Sequence, residues 1–349
     1  MEVAIVILNW NGKHWLEKFL PGVVSHLNPK RDVLWVADNA SADNSIAWLK
    51  ANYPEVKILE MKENTGYAGG YHEALNAIEA NYYVLLNSDI EVGTNWLDPM
   101  IDRMNSHPQI AACQPKILSY DNKNSFEYAG ACGGYIDRLG YPFCRGRILN
   151  HCEKDKGQYD EAQPIFWATG ACLVVRSSAY HSIGGLHAPF FAHMEEIDLC
   201  WRFQRAGFEV WVEPQSTVYH VGGGSLSQTS PFKTELNYRN NLLLLYRNIH
   251  PDHRNALIFK RMVWDGLAGG IYFITGRWKL FMSVIKAHNG FRTMKAQEHN
   301  DTFNDSLDYI PQHELKHCFH GHILIQSIIR GKKTFASLNQ TLFQKAVNR

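Results

Sequence analysis

No uncharged apolar run in this chain approaches the roughly 18 residues needed to cross a bilayer. The run from Gly266 to Gly276 is closed by Asp265 on one side and Arg277 on the other. Nor does one sign of charge dominate: 35 Lys and Arg face 34 Asp and Glu, a formal net charge of +1 across 349 residues. That balance removes the basic surplus of a general nucleic-acid binder, and no nucleic-acid partner is expected. Cysteine is sparse and odd in number, seven residues with no CxxC pair, in a chain too long to need disulfide staples. The thiols are expected to be reduced and buried. Glu2 stands where a secretion signal would carry positive charge, so the expected setting is cytoplasmic. Internal repeats and low-complexity tracts are also missing. What is present, 45% hydrophobic and 12% aromatic residues, suffices for one large core or two modest ones.

The first 90 residues alternate two textures. VAIVIL (3–8), VLWVAD (33–38), VKIL (56–59) and YYVLLNSD (82–89) read as strands, the continuous β-branched runs among them as strands buried on both faces. Helical stretches follow at about 13–25, after Ser41, and at about 67–80. Strand and helix in alternation predict a parallel, doubly wound sheet. From about 110 to 175 short strands and glycines predict antiparallel or mixed additions, with a mobile loop at 150–164. MEEIDLCWRFQRAG (194–207) reads as a helix with acids in its first turn, followed by the strand FEVWVEP; after about Pro231 the chain is expected to be helical to its end.

Ligands of open parallel sheets sit beyond the carboxyl ends of the strands, so the polar residues directly after each strand are the candidates. They are Asn9-Trp10-Asn11, the run from Asp38 and Asn39 to Asp43, the run from Asn64 to Gly70, and Asn87-Ser88-Asp89-Ile90-Glu91. Asp38 and Asp43 also suit helix N-caps. The glycines at 66, 69 and 70 lack GxGxxG spacing and follow the third strand, which disfavours a dinucleotide fingerprint. Asp89 with Glu91 reads either as a turn or as a ligand for a hard divalent cation bridging a diphosphate. Glu195, Glu196 and Asp198 complement a helix N-terminus, yet three carboxylates on one turn also repel one another.

In register, VAIVILNWNG, VADNASADNS, ENTGYAGG, VLLNSDIEV, ATGACLVVRSSAYHSIGG, FFAHMEEIDLCWRFQRAG and VYHVGGGS resemble glycosyltransferase family 2, in its rhamnosyltransferase-like branch, over about residues 3–250. The resemblance implies an α/β GT-A fold: a mostly parallel central sheet with helices on both faces, followed by a C-terminal helical extension. It implies a catalytic domain over 1–230, divided into a nucleotide-binding half (1–109) and an acceptor half (110–230), with the extension at 231–349. It further implies an inverting transfer from a nucleotide-diphosphate sugar, of dTDP-rhamnose or UDP-hexose type, to a glycan or lipid-linked glycan, with Mg²⁺ or Mn²⁺.

Carried over position by position, the resemblance assigns the nucleotide to Asn9, Asp38, Asn39, Asn64 and Gly66. Asn87-Ser88-Asp89 takes the place of the family's DxD motif with its first carboxylate replaced, which leaves Asp89, with His220, to hold the metal. Glu195 and Glu196 align with the family's Glu-Asp pair; Glu196 is expected as the base that deprotonates the acceptor hydroxyl, with the two roles open to exchange. Arg239, ahead of Asn240, is expected to neutralise diphosphate or to cap a helix. Two other readings stand at this point: a nucleotidyltransferase that makes the sugar nucleotide, which would carry a glycine-rich basic loop where Asn9-Trp10-Asn11-Gly12 stands, and a binding module that kept the fold without the chemistry.

Between Arg254 and Lys295 eight Lys or Arg face the single acid Asp265, interleaved with Trp264, Phe273, Trp278 and Phe281. Such a stretch reads equally as a peripheral membrane contact on the inner face of the cell membrane or as a helical subdomain packed on protein.

Overall fold

The computed structural model describes residues 2–222, 230–298 and 302–343. The tail of VYHVGGGS, Gly223 to Ser225, lies outside them. The expected alternation opens the chain: β1 (Val3–Asn9), α1 (Lys13–Ser25), β2 (Asp32–Asp38), α2 (Ser45–Asn52), β3 (Lys57–Glu60), α3 (Gly66–Ala77) and β4 (Tyr82–Asn87). β1 shows why its apolar run is continuous. Val3, Ile5 and Ile7 join the core containing Leu16 and Leu20 of α1, while Ala4 and Val6 join the core containing Tyr71 and Leu75 of α3. Side chains alternate across a strand, so a strand covered by helices on both faces carries no polar position.

The next elements are β5 (Ile90–Val92), α4 (Asp98–Ser106), β6 (Ile110–Ser119), β7 (Gly134–Asp137), β8 (Pro142–Cys144), β9 (Arg147–Ile148), β10 (His151–Cys152), β11 (Gln163–Pro164), β12 (Cys172–Arg176), α5 (Ser177–Ser182), α6 (Glu195–Arg205) and β13 (Glu209–His220). Among the described residues they complete a nine-stranded sheet in the order β11-β13-β6-β12-β4-β1-β2-β3, with β5 on β13. β4, β1, β2 and β3 are mutually parallel, while β12 runs antiparallel to β4 and β6. β13 extends well beyond FEVWVEP, to His220, because a bulge between Glu213 and Thr217 lets it continue alongside β6.

Two expectations need correction. The 150–164 loop is pinned rather than mobile: Tyr159 is buried, and Lys116 pairs with both Asp155, at 2.9 Å, and Asp160. Nor are the described residues helical throughout after Pro231. Past α7 (Pro231–Asn248), α8 (Pro251–Ile274) and α9 (Trp278–Gln297), the described residues hold α10 (Thr302–Asp305), short helical turns and β14 (Cys318–Phe319), which adds an edge to the small sheet β10-β9-β8-β7-β14. Aromatic burial explains this return. Phe335 and Phe343 pack on Tyr135 at 4.8 and 5.5 Å, and Phe319 packs on Phe143 at 5.9 Å. All seven cysteines are free thiols, and all but Cys152 are buried.

Candidate active site

The parallel register of β1 and β2 sets Asn9 opposite Asp38 at the carboxyl end of the sheet. There the Asn9 amide donates to Asp38 Oδ1 at 2.9 Å, Ser41 Oγ at 3.1 Å and Ser45 Oγ at 3.0 Å. Asp38 also accepts from the Ser41 backbone N–H at 2.9 Å. Both side chains are buried beneath the rim and face one another, and among the described residues Asn9 Oδ1 has no hydrogen-bond partner. One residue on, Asn39 reaches across to the segment between β3 and α3. Its amide donates to Asn64 Oδ1 at 3.0 Å and to the Gly66 carbonyl at 2.9 Å, while Asn64 Oδ1 accepts from the Gly66 N–H at 2.9 Å. Gly66 is required twice over: its φ is +75°, and a Cβ there would lie 2.4 Å from the Phe191 carbonyl oxygen.

Asn39, Asn64, Gly66, Asn87, Ser88, Asp89, Glu195, Glu196 and His220 line one cavity of about 580 Å³, roofed by Trp10 and Trp15 and bounded by Phe191 and Phe232. The polar residues of the β4–β5 turn and the acids of α6, far apart in the chain, therefore share one space. The β5–β13 register, Ile90 opposite His220, brings Asp89 to His220, with Asp89 Oδ1 3.2 Å from His220 Nε2. Glu127 Oε2 lies 3.3 Å from the other imidazole nitrogen. Burial alone would depress the His220 pKa, but hydrogen bonds and charge from Asp89 and Glu127 outweigh it and hold the imidazole at about 10. Burial would likewise raise the Asp89 carboxyl, and His220 holds it below the usual range.

Among the described residues no three His, Cys, Asp or Glu side chains make a ready metal cage. Asp89 and His220 offer one carboxylate and one imidazole at one point of the cavity wall, the imidazole only after a bound cation displaces the proton that Asp89 and Glu127 hold on it. A two-donor set suits a Mg²⁺ or Mn²⁺ that takes its remaining ligands from phosphate oxygens and water.

The three acids of α6 divide by environment. Asp198 faces inward, accepting from Arg202 Nε at 2.8 Å, Arg247 Nε at 3.2 Å and the Asn248 amide at 2.8 Å. Despite complete burial, the two guanidinium groups hold its carboxyl far below the usual range. Glu195 and Glu196 face the cavity, and among the described residues Oε2 of each has no hydrogen-bond partner. Burial raises Glu195 well above the ordinary carboxyl range, the Glu196 charge adding to it, and burial pushes Glu196 up to about 7. Buried polar atoms without protein partners, gathered in one cavity, are what a ligand site leaves when the ligand is absent.

The loop ahead of α6 is held in an uncommon shape. Phe191, His193 and Met194 have φ of 65°, 71° and 74°, a region that non-glycine residues enter only when their surroundings impose it. Asn240 imposes it: its amide donates to the carbonyls of Phe190, Ala192 and His193, each at 2.8 Å. Arg239 adds Nη2 to the Phe190 carbonyl at 3.0 Å and Nε to Asn240 Oδ1 at 2.8 Å. Arg239 is thus engaged with the loop backbone and is not among the residues lining the cavity. Phe190 is core, while Phe191 faces the cavity and meets Phe232 at 6.1 Å. Glu127, Lys233 and His193 also line the cavity and escaped the sequence reading. His193 sits unassigned inside the FFAHMEE run, whereas Glu127 lies in irregular chain with no motif to mark it.

The sheet order, with its cavity beyond the carboxyl ends of the parallel strands, is that of the GT-A fold. The solved structures most like it include GalNAc-T7 with UDP, GalNAc and Mn²⁺, at TM-score 0.57 and 15% identity, covering 72% of this chain and 48% of that one. The mannosyltransferase of Pyrobaculum calidifontis in complex with GDP-Man and Mn²⁺ matches at TM-score 0.50 and 11% identity, over 83% of this chain and 87% of that one. The chain spans about half the length of GalNAc-T7. The chain belongs to glycosyl transferase family 2, whose model matches residues 4–184. The N-acetylglucosaminyl-diphospho-decaprenol L-rhamnosyltransferase of Mycobacterium tuberculosis is 24% identical over 232 residues, 62% of this chain and 75% of that protein. The low-salt glycan biosynthesis hexosyltransferase Agl10 of Haloferax volcanii is 21% identical, over 69% of this chain and 75% of that protein.

Proposed function

We propose that this glycosyltransferase inverts the anomeric centre of a nucleotide-diphosphate sugar, of dTDP-rhamnose or UDP-hexose type, as it transfers the sugar to a hydroxyl of a glycan or lipid-linked glycan. The observation that carries this is the placement of Asp89–His220 and Glu195–Glu196 on the walls of one cavity. An in-line displacement needs charge neutralisation at the departing diphosphate and a base at the attacking hydroxyl, and these two pairs answer the two needs. Asp89 and His220 would hold the Mg²⁺ or Mn²⁺, which supplies positive charge to the leaving phosphate oxygens. Asn39, Asn64, Gly66, Asn87 and Ser88, in the lining of the same cavity, would take the nucleotide.

Of the two acids, Glu196 is the base. Its carboxyl, pushed up to about 7 by burial, is substantially ionised at neutral pH, and Glu195 beside it, itself raised by burial and by the Glu196 charge, is left to bind a sugar oxygen. Glu196 then takes the proton as the acceptor oxygen bonds to the anomeric carbon and the nucleoside diphosphate leaves. The lipid-linked acceptor class follows the name of the mycobacterial relative, and a cytoplasmic setting follows the use of nucleotide sugars and free thiols.

The test is a panel of dTDP-, UDP- and GDP-sugars offered to the purified protein with Mn²⁺, read by thermal protection and slow donor hydrolysis. One donor should protect and be hydrolysed. Absence of both responses across the panel refutes the reading.

A further inference from the structure

Large apolar side chains gather in solvent on the α8–α9 hairpin. Phe259, Val263, Leu267 and Ile271 recur every four residues along α8 and are 69%, 49%, 58% and 58% exposed, and Ile274 at its end is 79% exposed. On α9, Trp278, Met282 and Ile285 continue the pattern at helical spacing, all exposed. Spacing of three and four places each set on one stripe of its helix. Soluble monomers rarely leave so long an apolar stripe in water.

Charge accompanies the stripe in a definite arrangement. Lys260, Lys279, Lys286 and Arg292 on these two helices and Arg277 at the head of α9 are exposed, the first three and Arg277 adjacent in sequence to Phe259, Trp278 or Ile285. The one acid between Phe259 and Arg292, Asp265, is fully buried against Arg261 Nε at 2.8 Å and subtracts nothing from the outer charge. No helix of the described residues is long and apolar enough to cross a membrane.

We propose that this outer face seats the enzyme on an anionic lipid bilayer, with the apolar stripe in the headgroup region and the five cations against lipid phosphates. The inference is independent of which sugar or acceptor the cavity takes. Two arguments favour a bilayer over a second copy of this chain. A two-fold dimer about this face would set the same five cations against themselves with no acid between them, whereas anionic headgroups supply the missing counter-charge. The pairing of apolar stripe with flanking Lys and Arg is also the pattern of helices that lie in the membrane interface.

The face is tied to the cavity. Ser283 Oγ of α9 donates to the Pro231 carbonyl at 2.8 Å, and the next two residues of α7, Phe232 and Lys233, line the active site. α9 thus joins the proposed lipid face to α7, whose Phe232 and Lys233 line the cavity.

Flotation of the full-length protein with phosphatidylglycerol vesicles, phosphatidylcholine vesicles and neither, at low and high salt, tests the proposal. Binding to phosphatidylglycerol that weakens with salt and on phosphatidylcholine is expected. Leu267→Glu with Ile271→Glu, and separately Lys279→Glu with Lys286→Glu, should each weaken it by about tenfold or more, with unchanged melting temperature and unchanged hydrolysis of a soluble donor. Absence of binding to phosphatidylglycerol at low salt, or undiminished binding by both variants, overturns the proposal. So does a dimer in sedimentation that Leu267→Glu with Ile271→Glu dissociates while vesicles fail to bind, which would give the face to a second copy.

Discussion

Asp89 Oδ1 and His220 Nε2 stand 3.2 Å apart although one belongs to the turn after β4 and the other ends β13. Pairing of β5 with β13 is what joins them. Asp89→Ala removes the carboxylate of the proposed two-donor site, so turnover should fall by about 10²–10³-fold and Mn²⁺ should no longer tighten donor binding. Calorimetric titration of the donor with and without Mn²⁺ checks this; donor binding that keeps its Mn²⁺ dependence would refute the assignment.

Glu196 sets the expected pH dependence. With its carboxyl pushed up to about 7, the ionised form grows as pH rises through that value. kcat/KM should therefore climb about tenfold per unit well below 7 and level off above it. Glu196→Gln should flatten the acid limb and cost about 10²–10⁴-fold. If Glu195→Gln removes the limb instead, the two roles are reversed.

The same acids should cost stability. A carboxyl raised by folding binds its proton more tightly in the native state, so its stabilising contribution is complete below the unfolded value of about 4.5 and is lost as pH rises through the folded value. Glu196→Gln, which cannot ionise, should unfold later than the parent at pH 8, by about 1–3 kcal/mol, with the gap closing near pH 4. Denaturant melts at both pH values read it.

Asp198 should behave in the opposite way. Its carboxyl is depressed by Arg202 and Arg247, so its contribution is present above the ordinary carboxyl value near 3.8 and is lost as pH falls toward its lower folded value. Asp198→Ala leaves two buried guanidinium groups short of a partner and should cost about 3–5 kcal/mol at neutral pH. A melting temperature unchanged by this substitution would contradict the buried network.

Asn240 is a positioning residue. Its amide holds three carbonyls of the loop that aims Glu195 and Glu196. Asn240→Ala should lower kcat by about 10²-fold through misplacement of the base while leaving the KM for donor within a few-fold, since the nucleotide side rests on other elements. A KM effect with kcat intact would place Asn240 in donor binding instead.

The parallel half of the sheet was legible because VAIVIL and YYVLLN are buried on both faces and can be little else. The rim was legible for a related reason: polar residues that end such strands stand out against them. Legibility failed where partners come from far along the chain. Nothing in the local pattern shows that Asn9 and Asp38 bond to each other across the β1–β2 register. Nor does it show that α7 lies against the 190–194 loop, where the Phe190 carbonyl takes the Arg239 guanidinium. The C-terminal return to the small sheet had no periodicity to announce it, since isolated aromatics such as Phe319 and Phe335 pack through tertiary contact alone.

By itself the amino-acid order determined the alternation of strand and helix and the edge of the sheet at which the candidate residues gather, both of which follow from local pattern. Asp89, His220, Glu195 and Glu196 came forward as candidate groups through the resemblance to glycosyltransferase family 2. Tertiary structure alone decided which acids of one helical turn are structural and which face a ligand. Asp198 meets two arginines and Glu195 and Glu196 meet an open cavity, and a carboxylate's ionisation answers to the charges and solvent around it rather than to its neighbours in sequence.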